Sequence, residues 1–237
     1  MTAEPLEDRA DPREALAAQA AAELDGADAS TVIRWAVDAF GDRVAVTTSL
    51  QHAVLVDVAS RVRPGIEVIF LDTGFHFAET IGMRDAVAAA YPVRLRTVVP
   101  EQTVAEQAAT RGDGLYARDP DLCCRLRKVE PLERALHGYD AWITGIRRAE
   151  SPTRRRARVV EWDARRGKVK VNPLVAWTDG QLEDYIAEHG VLVNPLRLAG
   201  YPSIGCAPCT RAVAPGDDAR SGRWAGTGKT ECGLHAS

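Results

Sequence analysis

The sequence predicts an α/β protein: a parallel sheet with helices on both faces. Three observations carry that expectation. Short apolar runs alternate with longer helical stretches between residues 43 and 144, the pattern of βαβ units whose sheet is covered on both sides. A length of 237 residues, 46% hydrophobic and 27% charged, suits one globular domain with an appendage. No run approaches the roughly 20 apolar residues of a membrane span; Ala15–Ala22 is short and flanked by charge.

The elements follow in order. Residues 13–24 and 31–40 read as helices, the second with Ser30 as N-cap and Gly41 as its stop. Arg43–Thr47 is a strand, Gln51–Val62 a helix, Ile66–Leu71 a strand, Phe77–Tyr91 a helix and Val93–Val99 a strand. Helices near 101–110 and 122–137 precede a strand at Ala141–Thr144. Val159–Trp162 and Val169–Val171 form a hairpin, and Thr178 opens a capping box for a helix reaching His189. Beyond Gly200 apolar periodicity is lost, and the last stretch reads as a tail ordered only when something holds it. The acidic start, Met1–Asp8, has no apolar core behind it and does not read as a secretory signal. A cytoplasmic location is therefore expected.

Five cysteines in such a chain do not read as a disulfide framework. Cys123 and Cys124 are adjacent, Cys206 and Cys209 form a C-x-x-C, and Cys232 stands near the end. Two thiolate pairs suit a tetrahedral zinc or an iron–sulfur cluster. Adjacent cysteines point apart, which favours the cluster with its separated iron atoms. Cys232 is left over, close to Lys229 and His235 on a glycine-rich approach. It reads as an accessible nucleophile or as a surface thiol on a frayed tail.

In parallel sheets the ligand sits outside the carboxyl ends of the strands. The loops to watch are therefore Thr47–His52, Leu71–His76 and Gly145–Arg158. The hydroxyls of Thr47, Thr48 and Ser49 lead into an expected helix N-terminus, a candidate phosphate cradle. The loop lacks the glycine and lysine pattern of a Walker loop. Residues 145–170 hold ten Arg and Lys against three acids, locally +7 in a chain whose net charge is −3. Cations also follow the cysteine pair (Arg125, Arg127, Lys128) and precede Cys232 (Arg220, Arg223). A small, highly charged anion is the expected ligand in preference to a nucleic acid.

Cys-Cys-Arg-Leu-Arg-Lys (123–128), Gly-Cys-Ala-Pro-Cys-Thr (205–210) and Glu-Cys-Gly-Leu-His (231–235) together resemble the cluster-containing assimilatory adenylylsulfate (APS) reductases, a branch of the PAPS reductase family. Leu-Asp-Thr-Gly (71–74) and Gly-Ile-Arg-Arg-Ala-Glu-Ser-Pro-Thr-Arg (145–154) are similar to the actinobacterial members. The resemblance implies an adenine-nucleotide-hydrolase-like, PP-loop-related domain. It implies a [4Fe–4S] cluster on Cys123, Cys124, Cys206 and Cys209, and Cys232 as nucleophile. Lys128, Arg154, Arg220, Arg223 and His235 would contact the phosphosulfate; Thr47, Thr48, Ser49, Leu71, Thr73 and Gly145 would hold the AMP moiety. The implied reaction reduces APS to sulfite and AMP through an S-sulfocysteine, with thioredoxin as electron donor. No nucleic acid or membrane partner is implied, and a homo-oligomer is left open. The implied division is a helical extension (1–29), a nucleotide and cluster domain (30–209) and a mobile C-terminal segment (210–237). Two departures stand out. Ser49, Leu50 and His52 replace the glycine-rich loop of ATP-using relatives, and Pro120–Leu122 lacks the His that many relatives carry before the cysteine pair.

Overall fold

A computed structural model describes residues 11–235; the reading of Met1–Asp8 lies outside them. Helix α1 (Pro12–Glu23) starts on Asp11, whose carboxylate accepts from the Arg13 N–H, with Pro12 in the first turn where its missing N–H costs nothing. Helix α2 (Ala29–Phe40) is capped by Asp28 rather than Ser30: the Asp28 carboxylate takes both the N–H and the hydroxyl of Thr31. A carboxylate reaching two donors outcompetes a serine hydroxyl two residues further on, already inside the first turn.

Strand β1 (Val44–Thr48), helix α3 (Val54–Val62), strand β2 (Glu67–Leu71), helix α4 (Ala78–Ala90) and strand β3 (Arg94–Val98) continue the alternation. Helices α5 (Val104–Arg111), α6 (Leu115–Arg118) and α7 (Pro120–Cys124) lead into a π-helical turn, Arg125–Val129, and then α8 (Glu130–Ala135). The single helix expected over 122–137 is thus broken. Pro131 has no N–H to donate to Arg127 and its ring crowds that carbonyl, so the ladder widens just before it. Strand β4 (Ala141–Ile143), the hairpin β5 (Val160–Asp163) and β6 (Lys168–Val171), and helix α9 (Asp179–His189) complete the fold. The Thr178–Gln181 capping box forms as read from the sequence.

The sheet runs β3-β2-β1-β4-β6-β5, parallel except for edge strand β5, which pairs antiparallel with β6. Alternation along the strands divides the interior. Val44, Val46, Val68, Phe70 and Ile143 face a large core that includes α1, α2 and α3, while Ala45, Ile69 and Trp142 face Leu132, Ala135 and Leu136 of α8. Chain order reverses between β1 and β4. That switch point opens a crevice at the strands' carboxyl ends. Beyond Gly200 the described chain forms a short turn at Ala207–Cys209 and a lone bridge between Thr210 and Arg223, and it crosses this crevice.

Candidate active site

The crevice is a cavity of about 420 Å³ that all the non-ligand residues singled out in the sequence line: Thr47, Thr48, Ser49, Leu71, Thr73, Lys128, Gly145, Arg154, Arg220, Arg223, Cys232 and His235. At the end of β1, the Thr47 hydroxyl donates to the Ile143 carbonyl (3.1 Å), and the Thr48 hydroxyl accepts from Leu50 N–H (3.2 Å). The three hydroxyls do not sit at a helix N-terminus. Leu50 turns the chain with φ +55°, and residues 51–53 are taken up by segment 192–204: Gln51 donates to Pro202 O (2.9 Å), and the Ala53 N–H to Leu192 O (2.9 Å). His52 bridges Val193, and α3 starts only at Val54. The cradle therefore offers hydroxyls from a strand end, without the aligned N–H groups of a first helical turn.

At the end of β2, Leu71 O accepts from His76 Nε2 (2.9 Å), and Thr73 Oγ1 lies 3.3 Å from Cys206 Sγ. Thr73 thereby ties the loop after β2 to the cysteine turn. At the end of β4, Thr144 Oγ1 donates to Asn172 Oδ1 (2.9 Å), and Gly145 leaves the cavity wall bare. The π turn carries three cations, of which Arg125 pairs with Glu130 (3.8 Å). Arg127 is buried, donating to Thr73 O and to Gln107 Oε1 (3.0 Å), with its guanidinium over the Phe75 ring. Lys128 faces the cavity.

The tail closes the opposite wall. Arg223 lies over the Trp224 ring (4.5 Å) and donates to Ser203 Oγ (3.2 Å) and Ile204 O (3.3 Å). Burial and the neighbouring Arg220 pull its pKa below the ordinary value. Among the described residues neither Lys128 nor Arg223 has a carboxylate partner. Two buried-side cations without counter-charge make an anion site. Arg154 and Arg220 also point in, and His235 stacks on Trp142 with rings 5.7 Å apart and 4° from parallel. Cys232 lies within the electrostatic reach of Lys128, Arg154 and Arg223.

The remaining four cysteines sit behind this wall. Cys123, Cys124, Cys206 and Cys209 line a single small cavity with Phe75, Tyr116, Arg127, Lys128 and Trp224. Lys128 and Trp224 belong to both cavities and form the partition. Among the described residues no group of three or more His, Cys, Asp or Glu is placed to hold a metal ion. The donor set nonetheless suits a thiolate-ligated group. The four cysteines line one cavity with cations adjacent, and burial together with the neighbouring thiols pushes Cys123 up to about 12. Burial likewise pushes Cys124 up to about 11. Burial thus favours the protonated form of Cys123 and Cys124.

The basic run of 145–170 divides in two. Arg154 reaches the cavity, whereas Arg165 pairs with Glu133 (3.0 Å), Arg166 with Asp163 (2.7 Å) and Lys170 with Glu161 (3.0 Å). Arg166 and Lys170 are spent inside the fold, the Arg165 pair lies at the surface, and Arg155, Arg156 and Arg158 stay exposed. Sequence reasoning passed over His76, Trp142, Arg147 and Glu231, which also line the cavity. Glu231 had a signal, as the neighbour of Cys232; Trp142 looked like one more apolar strand residue.

Fold and site define an α/β domain with a cation-lined cavity at the sheet's switch point and one cysteine, Cys232, among the described residues on its wall. The chain belongs to the phosphoadenosine phosphosulfate reductase domain family, whose pattern matches residues 43–212. It is 59% identical over 222 residues to the adenosine 5'-phosphosulfate reductase of Mycolicibacterium smegmatis, with 94% of each chain covered. It is 56% identical to that of Streptomyces coelicolor, covering 99% of this chain and 100% of that one. Among solved structures, the phosphoadenylyl-sulfate reductase of Candida auris, a phosphate complex, superposes with TM-score 0.72 at 33% identity, over 83% of this chain and 96% of that one. The FMN adenylyltransferase of Candida glabrata shares the fold alone (TM-score 0.56, 12% identity, 87% and 69% covered), in keeping with the adenine-nucleotide-hydrolase-like architecture expected from sequence. Among the described residues no helix is long and apolar enough to cross a membrane.

Proposed function

We propose that this chain reduces adenosine 5'-phosphosulfate to sulfite and AMP. The observation that carries the reading is the meeting of a free thiol, Cys232, with unpaired cations in the cavity at the switch point. The nucleoside lies along the strand ends, against Thr47–Ser49, Leu71, Thr73 and Gly145. Its phosphosulfate faces Lys128, Arg154, Arg220, Arg223 and His235. The Cys232 thiolate attacks the sulfate sulfur; the S–O bond to AMP breaks, and AMP departs with its phosphate charge held by the cations. Cys232 then carries the sulfonate. One thiol of a reduced dithiol protein of the thioredoxin class attacks the Cys232 sulfur and expels sulfite. Its second thiol resolves the mixed disulfide, leaving the donor oxidised and Cys232 free. Two partners at one thiol call for a segment that can close and open, and we assign that role to residues 210–237, following the N-terminal extension at 1–29 and the α/β unit at 30–209.

Cys123, Cys124, Cys206 and Cys209 would hold a [4Fe–4S] cluster. When bound, the cluster would supply a fixed charge behind the partition, and its ligands would tie the end of α7 to the 206–209 turn. Lys128, in the partition, would feel cluster and substrate at once. The chain's net charge of −3 and the pairing of Arg165 with Glu133 and of Arg166 with Asp163 support a small-molecule substrate rather than a nucleic acid. A cytoplasmic setting, which supplies reduced dithiol donors, fits the reading, and a homo-oligomer is compatible with it.

The test is anaerobic turnover with reduced thioredoxin. Sulfite and AMP should appear one to one, and faster from APS than from PAPS, whose extra phosphate must be desolvated to enter. AMP released with sulfate would mean hydrolysis and would overturn the proposal.

A further inference from the structure

The Glu231 carboxylate occupies two of the cations assigned above to the substrate, Arg154 and Arg220. Arg154 grips it as a fork, Nε to Oε1 at 2.9 Å and Nη2 to Oε2 at 3.0 Å. Arg220 Nη2 donates to Oε2 (3.3 Å) and Thr153 Oγ1 to Oε1 (3.0 Å). Burial works against the charge, yet Arg154 and Arg220 hold the carboxyl below its usual range. Arg154 keeps a second partner, Glu150, on its far side, so the guanidinium remains fixed if Glu231 leaves. A bidentate carboxylate and an oxyanion of a sulfate or phosphate use the same face of a guanidinium, so only one can occupy it.

We propose that Glu231 is a positioning residue for Cys232. Its carboxylate stands in for the substrate's anion on Arg154 and Arg220, latching the tail across the empty cavity, and yields the clamp when the anion arrives. This rests on the nucleotide reading above. The latch is the residue next to the nucleophile, so its release displaces Cys232 in the same step that fills the clamp. A second tether, Lys229 to the exposed Asp121, holds the tail without touching the clamp.

The experiment compares wild type, Glu231→Gln and Asp121→Asn by two readouts: alkylation of Cys232 by iodoacetamide, followed by peptide mass, and affinity for AMP by calorimetry. Glutamine keeps the shape but loses the charge-assisted fork. Glu231→Gln should alkylate about tenfold faster without nucleotide and bind AMP about tenfold more tightly, because the internal competitor is gone. Asp121→Asn should alkylate faster with AMP affinity unchanged. Unchanged alkylation in Glu231→Gln overturns the latch; faster alkylation with unchanged or weaker AMP binding overturns the competition. If neither wild type nor Glu231→Gln binds AMP, the nucleotide reading falls separately, and alkylation still reads the latch.

Discussion

A methyl group added at Gly205 tests whether the partition between the two cavities is built to place Arg223. A Cβ at this position would lie 2.5 Å from Arg223 Cζ and 2.9 Å from its Nε, closer than real Cβ contacts. The backbone does not itself demand glycine, since Gly205 is absent from the positive-φ positions. The clash therefore falls on the guanidinium, which must leave its place over Trp224 and its hydrogen bonds to Ser203 and Ile204. A displaced charged donor loses about 1.5–3 kcal/mol of its hydrogen bonding, a drop of roughly 10- to 150-fold in affinity for an anion it should meet. The comparison is Gly228→Ala, where an added Cβ meets nothing within 4 Å. Calorimetry with AMP should show the loss in Gly205→Ala and not in Gly228→Ala, with the melting temperature and iron content of both near wild type. Wild-type AMP affinity in Gly205→Ala would refute the placement of Arg223 at the anion.

Arg154→Ala should weaken APS binding by about 2–5 kcal/mol while leaving iron intact, whereas Arg165→Ala, paired with Glu133 outside the cavity, should change little; equal effects would mean a diffuse basic surface. Anaerobically purified protein should carry near four iron and four sulfide per chain, the content of a [4Fe–4S] cluster; zinc without sulfide would contradict the cluster assignment. Burial, then Arg197 and Arg147, pulls His52 down to about 3, and burial pulls His235 well below the ordinary 6.5. The unfolded chain takes up these protons below about pH 6.5 and the folded one does not, so stability should be full above that pH and fall as pH drops toward 3, by up to about 1.4 kcal/mol per pH unit for each histidine. Urea midpoints at pH 7.5 and 5 should differ, and less so in His52→Gln; a difference that His52→Gln leaves unchanged would remove His52 as a cause.

Much of this molecule was legible locally. The alternation of Val44 and Val46 with Ala45 gives β1 its two faces, and the Thr178–Gln181 box starts α9 without outside help. Local reading failed where distant residues decide. Gln51 reads as the first turn of a helix, but its side chain also accepts from Ile204 N–H (2.9 Å), more than 150 positions away. Asp28 outbid Ser30 through a contact that helix periodicity does not reveal. The site shows the same division. The cysteine spacing and the cations near it pointed to residues that line two adjoining cavities, yet the use of Glu231 as a partner of those cations depends on the tail's path across the cavity. Trp142 owes its place to neighbours from elsewhere, with His235 stacked on it and Arg166 within 5.3 Å of its ring.

The central claim is that Cys232, and none of the other four cysteines, carries the sulfonate. Incubating the protein with APS in the absence of thioredoxin and measuring the masses of its cysteine peptides tests this directly. A sulfite-sized increment should appear on the peptide containing Cys232, vanish with release of sulfite when reduced thioredoxin is added, and be missing from Cys232→Ser, which should still bind AMP and keep its iron. An increment on Cys123, Cys124, Cys206 or Cys209, or sulfite formation surviving in Cys232→Ser, would contradict the account.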